Sequence, residues 1–112
     1  MRIASLLAAI VLITLAACAG KTAQDLPAGQ RTPQGIFEQV CSRCHGEQGR
    51  NKAYGVSQVI SGMSQAEIEQ ALRGYRSGTY GGVFKSVMRE QAGSLSEQEI
   101  PALARHVSAL GG

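Results

Sequence analysis

The chemistry in this chain is concentrated in five consecutive residues, Cys41-Ser42-Arg43-Cys44-His45. Two cysteines three apart, followed at once by a histidine, make the attachment motif for a c-type haem. Helix geometry explains the spacing. Residues i and i+3 share one face of a turn, so both sulfurs can reach the two vinyl edges of one porphyrin as thioethers. The adjacent His45 then brings an imidazole nitrogen to the iron. Blander readings use the same residues. A redox dithiol of the thioredoxin type needs a βαβ context, and no β-rich alternation flanks this pair. A structural zinc site needs four ligands, and the other Cys and His are Cys18, near the N-terminus, and His106, far along the chain. The pentapeptide also arises by chance, so the haem reading is carried by what surrounds it.

Such a site asks three things of the remaining residues: delivery to an oxidising compartment, a fold around the haem, and a sixth ligand for the iron. Delivery is legible at the N-terminus. Met1-Arg2 gives a short positive start and Ile3 to Leu15 an apolar run. That length suits a signal-peptide core and falls short of the ~20 residues of a membrane-spanning helix. Leu15-Ala16-Ala17-Cys18 resembles the bacterial lipobox, cut just before a cysteine that becomes lipidated. The alternative is an ordinary secretory signal, and Thr14-Leu15-Ala16-Ala17 lacks a clean A-x-A-like site. The expected division is a lipoprotein signal peptide over 1–17, a lipidated Cys18 with a flexible tether over 18–31, and one haem domain over 32–112.

Cysteine usage then closes. Cys18 takes lipid, Cys41 and Cys44 take haem, and none is left for a disulfide. A domain this small usually needs a staple, and a covalent haem supplies one. The formal charge of +3 is less informative than it looks. Removing residues 1–17 takes Arg2 away and leaves 10 basic against 8 acidic side chains. Two haem propionates would bring that near zero, so charge does not suggest a nucleic-acid partner.

The positioning elements read as helices. Residues 19–31 are small and polar, with one Pro and two Gly, and form a tether of about 20 Å root-mean-square span and at most roughly 43 Å. Thr32-Pro33 is a cap followed by Pro at the first helical position. It opens a helix whose apolar face is Ile36, Phe37, Val40, Cys41 and Cys44. Residues 46–62 read as a long loop with one short helical turn, a length that suggests function; wrapping a haem edge would supply one. Ser64-Gln65-Ala66-Glu67 is a capping box. It starts a helix facing Ile68, Ala71, Leu72 and Tyr75 inward and ending near Gly74 or Gly78.

Residues 74–82 hold four glycines and two tyrosines, Tyr75 and Tyr80. Glycine permits close approach to a flat ligand, and the tyrosine hydroxyls want partners such as a propionate; an ordinary turn is the plainer reading. A short helix over Val83 to Gln91 carries Phe84, Val87 and Met88. A second capping box, Ser96-Glu97-Gln98-Glu99, precedes a helix with Ile100, Leu103, Ala104, Val107 and Leu110 on one stripe. Pro101 removes a backbone bond there, so that end should bend or start late. For the sixth ligand, chemistry alone leaves Met88, Met63 and His106 open, because a Met on a helical face is often core filler.

Over nearly all of residues 32–110 the chain resembles a small monohaem class I cytochrome c of the short bacterial periplasmic type. The features that carry this are Cys41 to Gly46, the stretch Leu72 to Gly82, Met88, and the closing helix from Leu95. The resemblance implies an all-α fold of about four helices around one covalent haem c, with the first and last helices crossed steeply and Phe37 near Leu103 and Val107. It implies His45 and Met88 as the axial pair, since a His/Met haem is a closed electron-transfer centre. It implies a one-electron carrier of a periplasmic or respiratory chain, not an enzyme. The stretch bearing Arg73, Arg76, Lys85 and Arg89 would border the exposed haem edge and steer docking of acidic redox partners. A solvated helix face is the plainer alternative.

Two departures stand out. His106 occupies a place where the family often has Tyr, and no Pro follows the motif between Gly46 and Gly62, so the acceptor for the other ring N–H of His45 is unspecified. Two further functions fit the same residues: a dedicated haem subunit of a membrane oxidase or dehydrogenase, and an open-site sensor or peroxidase. A monomer is expected, anchored on the periplasmic side of a bacterial membrane, with Ala19 after the lipid Cys pointing to the outer membrane.

Overall fold

The computed structural model describes Gly20 and residues 25–112. The signal segment and the lipid site at Cys18 lie outside the described residues. Every regular element among them is helical. The first is a continuous rod of three parts: α1 (Pro33–Ile36), a π-helical segment (Phe37–Cys41) and α2 (Ser42–His45). It begins as the sequence suggests, with the Thr32 hydroxyl accepting the Gly35 N–H at 3.1 Å and Pro33 entering the helix.

The wide middle turn was not legible. Its local cause is Ser42. The Ser42 hydroxyl donates to the Glu38 carbonyl at 2.7 Å, the oxygen that its own amide would use in a regular α-helix. The amide bonds the Phe37 carbonyl instead, five residues back. Such π-turns occur often at functional sites. The rod stops at Gly46, whose φ of 78° suits glycine. A Cβ there would lie 2.8 Å from the Asn51 side chain, and the Asn51 N–H is bonded to the His45 carbonyl at 3.0 Å.

Two single 3₁₀ turns, Ala53–Gly55 and Ile60–Gly62, interrupt the expected loop. Helix α3 (Gln65–Ser77) opens on a complete capping box between Ser64 and Glu67 and closes on Gly78 in the left-handed conformation. Helix α4 (Lys85–Gly93) starts two residues later than the sequence suggested, with Phe84 at its cap. Helix α5 (Glu99–Ala109) starts late, as Pro101 required: that residue falls in the first turn, where its missing N–H needs no partner.

The core gathers the apolar faces of these helices. Phe37, Ile36, Ile100 and Leu103 are its largest fully buried side chains, each stabilising by about 1.5–3 kcal/mol relative to exposure. Phe37 shares one cluster with Leu103 and Val107, and its ring meets His106 at 5.7 Å between centroids. Helix α3 packs on both α4 and α5, and Ile68 and Leu72 of α3 share one cluster with Ala92 of α4 and with Ile100, Leu103 and Val107 of α5.

The segment before α1 is fastened at its end. Glu99 accepts from Arg31 through Nε at 3.0 Å and Nη2 at 2.6 Å, and from the Gly29 N–H at 2.8 Å. Burial pushes the Glu99 carboxyl up, but the Arg31 hydrogen bonds, the Ser96 and Gly29 amides and the Arg31 charge outweigh it and hold the pKa at about 2. Residues 29–31 are thus tied to α5.

Candidate functional site

The rod, the 46–63 loop, α3, the turn before α4 and α4 itself enclose one cavity of about 460 Å³. That volume lies within the ~300–1,000 Å³ in which small molecules and cofactors bind. The rod contributes Cys41, Cys44 and His45; the loop contributes Tyr54, Val56 and Met63; α3 contributes Ile68, Leu72 and Tyr75. Tyr80, Phe84 and Met88 complete it from the other side of the sequence, with Leu103 and Val107 of α5. The lining is mostly apolar and aromatic, as a porphyrin face requires.

Cys41 and Cys44 form no disulfide with each other. Burial, reinforced by the neighbouring Cys44, pushes Cys41 up to about 12. A redox dithiol uses a depressed thiol instead, so this shift runs opposite to the thioredoxin-type reading. Among the described residues, no group of three or more His, Cys, Asp or Glu side chains is placed to hold a metal ion.

His45 is 7% exposed, and burial lowers its pKa. The ring is therefore neutral at pH 7 and keeps a lone pair for a metal. Its Nδ1 is buried without a hydrogen-bond partner among the described residues. The absent post-motif Pro has not been replaced by another acceptor there. Two thiols on one wall, a buried neutral imidazole beside them and an apolar chamber fit a haem.

Both methionines named from the sequence line this cavity and are half-buried against the core. His106 does not line it and packs on Phe37 instead. Tyr75 and Tyr80 both line the cavity and meet edge to face at 4.8 Å. Burial, with the charge of Tyr80, raises the Tyr75 hydroxyl above its ordinary value.

The four cations expected to act together are divided. Arg73 and Arg76 both pair with Glu97, an acid from beyond the basic stretch. Arg89 lies near Gly78, and Lys85 lines the cavity. Sequence reasoning missed Arg43, which also lines it, and the pairing of Tyr54 with Phe84. Arg43 lies between the two motif cysteines, where residue type and spacing give no sign of a second role.

Comparison with known proteins agrees with this arrangement. The family model described as Cytochrome c matches residues 31–111, beginning at the arginine that fastens α5. Cytochrome c-553 of Desulfomicrobium norvegicum is 37% identical over 71 residues, covering 63% of this chain and 86% of that protein. Cytochrome c-553 of Nitratidesulfovibrio vulgaris is 31% identical over 100 residues, covering 89% and 97%. Cytochrome c-553 of Helicobacter pylori is 39% identical over 70 residues, covering 62% and 70%. The all-helical shell, the lined cavity and the matched span lead to one assignment: the chain belongs to the cytochrome c family, as a small electron carrier with one covalently bound c-type haem.

Proposed function

We propose that the haem is attached through Cys41 and Cys44 and that its iron is held between His45 and Met88. The observation that carries attachment is the single cavity lined by Cys41, Cys44 and His45; Met63 and Met88 both line it too, and the family resemblance favours Met88 of the two. Bound there, the haem supplies a one-electron Fe(III)/Fe(II) couple, and no bond is made or broken in a substrate. The chain's own residues do the rest. Burial keeps His45 neutral and able to coordinate. The apolar lining excludes water, and a thioether ligand raises the potential relative to a harder donor. Tyr75 and Tyr80 offer hydroxyls to the propionates.

Redox partners dock at the cavity mouth, where Val56 and Val83 are exposed and Arg43 and Lys85 supply positive charge. Arg73, Arg76 and Arg89 extend that charge, with the first two partly offset by Glu97. The expected acidic partner fits this sign. Delivery follows from the N-terminal sequence: residues 1–17 direct export, Cys18 takes lipid, and a short tether holds a monomeric domain at the periplasmic face of a bacterial membrane. No helix among the described residues is long and apolar enough to cross a membrane.

The test is the absorption spectrum of the protein made with the haem-attachment machinery. The parent protein should show the weak far-red sulfur-to-ferric-iron band and bind no carbon monoxide when reduced. Met88→Ala should lose the band and gain carbon monoxide binding, while Met63→Ala keeps the parent spectrum. If Met63→Ala is the variant that loses the band, the iron ligand is Met63.

A further inference from the structure

The mouth of the cavity holds a contact that electron carriage, as described above, leaves unused. Among the described residues, Tyr54 is the one non-glycine residue with a left-handed backbone, at φ 52° and ψ 22°. That conformation is strained for a residue with a Cβ, and such strain persists only where surroundings hold it. Tyr54 is 59% exposed, so burial is not what holds it. Two contacts do. Its ring stacks on Phe84 with centroids 4.4 Å apart and planes 27° from parallel, joining the 46–63 loop to the turn ahead of α4. Its hydroxyl lies 3.9 Å from Cys44 Sγ. Tyr54, Phe84 and Cys44 all line the cavity.

We propose that Tyr54 is a positioning residue for the haem edge: its ring clasps the two walls of the mouth through Phe84, and its hydroxyl hydrogen-bonds the Cys44 sulfur. This rests on haem attachment at Cys44. As a free thiol, Cys44 donates to the tyrosine oxygen. A thioether sulfur has no proton and can only accept, so on attachment the hydroxyl becomes the donor. A hydrogen bond to that sulfur draws electron density from the macrocycle's substituent and favours reduced iron. Hydrogen bonding around a haem is one of the protein's levers on its potential. The stack, in turn, limits how far the edge over Cys44 opens to solvent.

Three variants separate these roles: Tyr54→Phe, Tyr54→Gly and Phe84→Ala. Each is compared with the parent protein after intact-mass measurement of covalent haem. Tyr54→Phe keeps ring, stack and backbone strain and loses only the hydroxyl. Its reduction potential should shift downward, with the unfolding midpoint lowered less than in Tyr54→Gly; an unshifted potential overturns the hydrogen bond. Tyr54→Gly and Phe84→Ala open the clasp. Both should be reduced severalfold faster by ascorbate than the parent, and Tyr54→Phe should not. Parent-like rates in both opened variants overturn the clasp. Failure of the underlying attachment reading is read separately, as parent protein that carries no haem mass at Cys41 and Cys44.

Discussion

At Gly74, two opposing effects of one methyl group can be weighed. The residue lies inside α3, where replacing glycine by alanine ordinarily gains about 1 kcal/mol. Here a Cβ would sit 2.9 Å from Tyr80 Cβ and 3.1 Å from its Cδ2. Tyr80 cannot simply swing away, because its amide and that of Thr79 both bond the Gly74 carbonyl, at 3.0 and 2.9 Å. Overpacking of this kind costs about 1–3 kcal/mol, so the clash outweighs the propensity gain. Gly74→Ala should lower the unfolding midpoint and weaken the near-ultraviolet dichroism of the Tyr75–Tyr80 pair. A midpoint at or above the parent's would mean that Tyr80 yields without cost. The sequence suggested that glycines here admit a flat ligand; the close approach at Gly74 is to the Tyr80 side chain.

Among the elements, the π-turn of the first rod decides how Cys41 and Cys44 lie relative to the buried Ile36 and Phe37. It depends on a single competition for the Glu38 carbonyl, won by the Ser42 hydroxyl. Ser42→Ala vacates that oxygen and lets the amide ladder return to its regular step, rotating the motif against the core. The expected result is a loss of about 1 kcal/mol together with a lower yield of covalent haem, read by unfolding and by intact mass. Full yield at parent stability would show that the hydroxyl does not set the turn. The same rod shows what could be read in advance. Its start was legible because Thr32 and Pro33 act on their immediate neighbours, as do the capping boxes at Ser64–Glu67 and Ser96–Glu99. Cys41, Cys44, His45 and the two methionines could be singled out because their chemistry is written in residue type, and the fold brings them to one cavity. The π-turn was not, because serine back-bonding leaves no periodic signal. The left-handed Tyr54 and the capture of Arg73 and Arg76 by Glu97 were not legible either. Each depends on a partner that only the fold brings near.

For the molecule as a whole, the Arg31–Glu99 pair ties the first described segment to the last helix, with side chains 8% and 4% exposed. Removing one partner of a buried pair leaves the other charge uncompensated, at a cost of about 3–5 kcal/mol. Glu99→Gln should therefore unfold at a lower temperature than the parent at pH 7. The pH dependence has a definite sign. The folded carboxyl is held at about 2, below its ordinary value of 4.5, so the unfolded chain binds the proton first as pH falls. The stability this group supplies is complete above about 4.5 and is lost as the pH drops toward about 2. The parent should lose stability across that interval faster than Glu99→Gln, and the two curves should converge near its lower end. Glu67, also lowered by its bonds to the Ser64 backbone and hydroxyl, titrates in the same direction. It is present in both proteins and cancels in their difference. Thermal unfolding at half-unit steps of pH reads the outcome: convergence assigns the acid sensitivity to this clamp, and parallel curves would mean that the clamp carries no charge-linked stability.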